Sequence, residues 1–159
     1  MHYDADVDES RQDWESLRFG LTEDECNETN YADWISNASS KNYDIKKSQL
    51  TEIKSLAKPP AKVCSMYSIV YYILRKKNRA YDSKVMKKEL FGYPTQLVQE
   101  IQNFDYSTLT YKNCVTLKRK LEHESVEATK CCSAAAAVLI DWALTMTKLR
   151  IVTGIYAEA

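Results

Sequence analysis

The carboxylates nearest the N-terminus have a spacing that could do chemistry. DADVDESRQDWE, residues 4–15, places Asp4, Asp6, Asp8 and Glu15 at positions 1, 3, 5 and 12 of a twelve-residue frame. An EF-hand loop wraps calcium with ligands so spaced, but its sixth position needs glycine for the turn. Here that position is Glu9, and no helix-forming stretch precedes it, so the segment reads as a solvated acidic terminus and no metal is expected. Cys131 and Cys132 are adjacent. Neighbours in sequence cannot close an unstrained disulfide, and no CxxC spacing accompanies them, so burial within a helix is expected. His2 and His123, the only histidines, have no nucleophile or ligand at a working spacing and are assigned to the surface. Gly20, Gly92 and Gly154 are far apart, and no GxxxxGK[ST] loop is present to cradle a phosphate. The expectation is a protein that is not an enzyme, with no catalytic residue and no cofactor.

The elements that would carry other functions are helical. Three glycines and three prolines in 159 residues are too few for strands and tight hairpins, which favours an all-α fold. Net charge is zero, but residues 1–49 carry 12 acidic and 5 basic side chains, whereas residues 50–159 carry 10 acidic and 17 basic. That split predicts an acidic arm, residues 1–42, mostly irregular and ordered by a partner, and a basic helical bundle over residues 43–159. The opening MHYDADVDES has no secretory apolar region, and the longest apolar run, AAAAVLI with WAL beyond, is interrupted by Asp141 and too short to span a membrane. Five cysteines without a spaced framework predict free thiols in a reducing, cytoplasmic setting.

Within the arm, residues 10–19 could form a short helix stopped by Gly20, and Thr22 with Glu25 reads as a capping box. Beyond it, Ile45, Gln49, Ile53 and Leu56 or Ala57 share one helical face, and Pro59 ends that helix. Pro60 suits the first turn of the next helix, whose apolar face is Val63, Met66, Tyr67, Val70, Ile73 and Leu74 and whose end is the basic RKKNR. DSKVMKKELFG predicts a short third helix capped near Asp82 or Ser83. Pro94 opens a fourth, with Leu97, Val98 and Ile101 apolar. A fifth runs from about Thr108 to Leu121, and the last from about Ser125 almost to the C-terminus.

Four of these pieces, in order, resemble the microtubule-binding domain at the tip of the dynein heavy-chain stalk. LTEIKSLAKPPAKV resembles the end of the outgoing stalk helix, the proline kink and the first helix of the globule. VMKKELFGYPTQLVQEIQNFD resembles the short helices that follow, LTYKNCVTLKRKL the next basic helix, and CCSAAAAVLIDWALTM the Ala-rich helix that leads into the returning stalk. The EIKSL-x-KPP form looks more like the axonemal dyneins. The likeness covers residues 50–152, without a stalk or motor ring.

The resemblance implies a compact helical bundle, the stalk-tip globule, in which the proline pair marks where the coiled coil enters. It also implies docking on tubulin, an acidic surface that attracts basic side chains. Carried over residue by residue, the tubulin-facing cations would be Lys58 and Lys62 at the proline kink and Lys112, Lys118 and Arg119 on the later basic helix. The expected protein is a non-motor, microtubule-associated structural protein of the cytoskeleton and the ciliary axoneme. Its arm would reach a neighbouring axonemal protein through Trp14, Phe19, Tyr31 and Trp34, and neither a membrane nor nucleic acid is an expected partner. Two positions depart from the family. Cys64 stands where members commonly carry lysine, and Asp141 stands where several carry a polar or basic residue before the tryptophan. They motivate the alternative: an adaptor that kept the fold but binds another protein.

Overall fold

Among the described residues, side chains cap four of the eight α-helix starts: Asp82, Thr110, Ser125 and Ser133. The computed structural model describes residues 11–157. Its helices are α1 (Tyr31–Ser39), α2 (Lys47–Lys54), α3 (Ala61–Arg75), α4 (Ser83–Glu89), α5 (Pro94–Gln102), α6 (Tyr111–Leu121), α7 (Val126–Lys130) and α8 (Ala134–Val152). Short 3-10 turns lie at Trp14–Leu17 and Tyr106–Thr108, and a π turn, Thr153–Ala157, follows α8. The described residues are all helix, turn and coil, with no strand. None of their helices is long and apolar enough to cross a membrane. They fall into two compact units.

One unit takes in Asn42–Phe104 and Glu124–Ala143. Its centre is α3. The predicted face is buried at Val63, Met66, Tyr67, Val70 and Ile73, but so are Ile69, Tyr71 and Tyr72, as in a helix surrounded by packing partners. The Tyr67 ring packs 4.6 Å from that of Phe91, and its hydroxyl donates to the Ile53 carbonyl at 3.3 Å. Full burial of each such apolar side chain stabilises by about 1.5–3 kcal/mol. α2 stops before Pro59. The Ser55 N–H bonds back to the Thr51 and Glu52 carbonyls, and its hydroxyl to Glu52 O at 2.7 Å, which ends the helix at Lys54. Pro60 is the residue before α3, and its carbonyl accepts from the Val63 and Cys64 N–H groups. The Asp82 carboxylate caps α4 by accepting from Val85 N–H at 3.2 Å, and Pro94 is the first residue of α5, as the sequence predicts.

The single last helix expected from Ser125 is two helices. The Ser125 hydroxyl caps α7, and the Ser133 hydroxyl accepts from Ala136 N–H at 3.1 Å and starts α8 afresh. Cys131 and Cys132 lie in the corner between them. Both thiols are exposed, not buried in a helix as expected.

The other unit takes in, of the described residues, 11–41, Asp105–His123 and 144–157. Of the expected arm, the described residues 11–41 pack against this chain's own α6 and C-terminal turns. Trp14 is 6% exposed, Leu17 and Cys26 are also buried, and α1 is helical where irregular chain is expected. The Trp14 ring meets Tyr111 edge-on at 5.2 Å, and the Arg150 guanidinium lies 4.2 Å over it. Arg18 donates to the carbonyls of Leu21 (3.3 Å) and Cys26 (3.1 Å) and to the Tyr156 hydroxyl. Tyr31 stacks on Tyr156 with ring centres 5.0 Å apart. Gly20 takes a left-handed φ of 59°, which suits glycine. Just beyond it, Thr22 and Glu25 bond reciprocally as a capping box should, although only a turn follows. On α6, Thr110 and Asn113 form a true capping box at 3.1 and 3.0 Å.

Candidate functional site

The five cations assigned to tubulin divide between the units: Lys58 and Lys62 belong to one, Lys112, Lys118 and Arg119 to the other. Lys58 is exposed in the loop that the early end of α2 creates before the prolines. Lys62, in the first turn of α3, has its ammonium 3.5 Å from Glu124 Oε2. The Glu124 side chain is only 9% exposed, so Lys62 answers a nearly buried carboxylate before it answers any partner. Cys64 is half-buried, and its thiol points to the Pro59 carbonyl at 3.6 Å. Burial pushes that thiol above its ordinary pKa, so it stays neutral at pH 7.

On α6, Lys112 and Arg119 stand two turns apart on one side of the helix. The Lys118 ammonium lies 3.5 Å from the Ser16 carbonyl, so the N-terminal segment takes up part of it. The other basic run is also partly committed. Arg75 makes a two-pronged contact with Glu100 at 3.1 and 3.3 Å, and Arg79 lies 3.8 Å from Asp82.

The anchors expected in the arm are not equivalent. Trp14 is enclosed by its own unit and Tyr31 stacks on Tyr156. Phe19 and Trp34 are half-buried, and the Lys148 ammonium sits 5.7 Å over the Phe19 ring. His123 is at the surface, with 86% of its side chain exposed. Among the described residues no group of three His, Cys, Asp or Glu side chains is placed to hold a metal ion. His2 and residues 4–10 of the calcium-like frame lie outside the described residues, and Glu15 pairs with Arg18 at 3.1 Å.

A second basic site emerges only in the fold. Lys54 at the end of α2 joins Lys84, Lys87 and Lys88 of α4 around an open groove of about 570 Å³ that Gly92 and Tyr93 also line. KVMKK carries the signal in sequence, since positions i, i+3 and i+4 share a helical face. Lys54 joins them through tertiary packing alone. No protein-family model, curated protein or solved structure matches this chain.

Proposed function

We propose that this protein is a non-motor, microtubule-associated structural protein, of the cytoskeleton and the ciliary axoneme, whose helical core docks on tubulin as a dynein stalk tip does. The observation that carries the reading is the ordered set of four stalk-tip-like stretches from LTEIKSLAKPPAKV to CCSAAAAVLIDWALTM. The basic balance of residues 50–159 supports it, because an acidic polymer attracts such a surface over a Debye length of about 8 Å at physiological salt. Lys58, Lys112 and Arg119 would act as rim charges, and no nucleotide chemistry is involved. Co-sedimentation of the pure protein with microtubules across a salt series tests this. The reading predicts binding that weakens as salt rises and ignores ATP; no binding at low salt would overturn it.

The adaptor reading has its own support. Lys62 is engaged by Glu124 and Lys118 by Ser16, and Cys64 offers no cation. Under it, the same faces bind another protein and the microtubule pellet stays empty.

A further inference from the structure

The groove between the end of α2 and α4 concentrates like charge without local compensation. Lys84 and Lys88 are one turn apart on α4, Lys87 lies between them, and Lys54 faces them from α2. The acids that flank the α4 lysines are committed elsewhere, and Glu52, two residues before Lys54, does not line the groove. Asp82 caps α4 and lies 3.8 Å from Arg79, and Glu89 accepts from the Tyr71 hydroxyl at 2.9 Å. Among the described residues, no carboxylate is within ion-pair distance of Lys54, Lys84 or Lys88. The Lys87 ammonium is held by the Leu56 carbonyl at 2.6 Å, which fixes one charge at the groove wall. Tyr93, 68% exposed, is the one large apolar side chain in the open among the described residues, and it lines the same groove.

We infer that this groove binds an extended, glutamate-rich polypeptide segment. The chemistry favours that occupant over a single phosphate. The opening is too broad to enclose one, and lysine offers separated point charges, not the planar fork with which arginine grips a phosphate. Neighbouring lysines on a helical face are about 5–6 Å apart. Alternate side chains of an extended strand repeat at about 6.6 Å on one side, so successive glutamates can each meet an ammonium. Tyr93 offers its ring to an apolar or aromatic residue at one end of the segment. This site uses none of the residues proposed above for tubulin, and its test contains no polymer.

The experiment is fluorescence anisotropy of a labelled oligoglutamate peptide with the full chain at low ionic strength. Binding should fall about tenfold or more in the K54E/K84E/K88E variant, as three exposed pairs are lost together. A control with the same change in net charge, K47E/K77E/K130E, should lose less than about threefold, because its exposed lysines lie outside the groove. Tyr93→Ala should leave oligoglutamate binding nearly unchanged and weaken a few-fold the binding of the same peptide carrying one terminal tryptophan. Helicity by circular dichroism accompanies each variant, and K54Q/K84Q/K88Q replaces the reversal if it disturbs the fold. Equal loss in groove and control variants overturns the inference, as does no binding by the wild type. Preferred binding of tripolyphosphate or of a single-stranded oligonucleotide of matched charge overturns it too.

Discussion

Gly154 lies directly against the indole of Trp14: a methyl group built on Gly154 would sit 2.6 Å from Trp14 Cε2 and nearer still to Cγ and Cδ2. The two residues are far apart in sequence, and the contact holds only because residue 154 has no side chain. Gly154→Ala should destabilise by about 1–3 kcal/mol through overpacking, and Trp14→Ala by about 3–5 kcal/mol through the cavity it leaves. The double variant should cost less than the sum, since the added methyl then enters the vacated space. Melting of the four proteins checks this, and strict additivity would mean that the contact carries no energy.

Removal of residues 1–41 should not leave a fully folded remainder. It strips Trp14 from Tyr111 and Arg150, and Tyr31 and Arg18 from Tyr156. In a chain of residues 42–159, amides of α6 and of residues 144–157 should exchange hydrogen much faster than in the full protein, while those of α3 stay protected. Unchanged protection in α6 would show that the N-terminal segment is a passenger.

Charge reversal separates the docking proposal from stability. Each exposed cation contributes only about 0–1 kcal/mol, so single changes should be nearly silent. Lys58→Glu, Lys112→Glu and Arg119→Glu combined should weaken microtubule co-sedimentation several-fold, with helicity by circular dichroism retained. Lys62 is a poor choice for that set, because its loss strands the nearly buried Glu124. Lys62→Ala should lower stability, and adding Glu124→Gln should restore part of it.

Alkaline pH should destabilise the unit built on α3. Burial raises the Tyr67 pKa well above its ordinary value, because the phenolate would have to form away from water. The unfolded chain loses this proton near about pH 10, while the folded chain keeps it. Stability from this group is therefore intact below about pH 10 and falls as pH rises toward the raised value. Tyr67→Phe should flatten the alkaline limb of a stability–pH profile, at the cost of the bond to Ile53 O. Glu25 titrates in the opposite sense. Its bonds from the Thr22 backbone and hydroxyl hold its carboxyl below the ordinary range, so its contribution is present at neutral pH and lost on acidification through that depressed value.

Helices α3, α4 and α5 are legible in the sequence because their signals are local: Pro60 and Pro94 at helix starts, Asp82 as a cap, and an apolar face recurring every three or four residues. The N-terminal segment is not, because Trp14, Arg18 and Tyr31 find their partners at Tyr111, Arg150, Gly154 and Tyr156, and no local periodicity records such contacts. The break at Ser133 is hidden for another reason. Its hydroxyl competes with the helix backbone for an N–H, and CCSAAAA looks helical throughout. Of the candidate site, sequence supplies the cations but not their neighbours. Glu124 beside Lys62, Ser16 beside Lys118 and Lys54 beside α4 are products of folding.

Two adjacent, exposed thiols also govern how the protein ages in a tube. Cys131 and Cys132 sit at a surface corner, and ring strain opposes their pairing with each other. Oxidation therefore joins one molecule to the next. Two such links per chain allow linear ladders on a non-reducing gel, which reductant, or serine at both positions, should abolish. A sample stored without reductant would then present its basic groove in several linked copies. Any affinity for an acidic ligand would be inflated by multivalency and would belong to the ladder, not to the single chain.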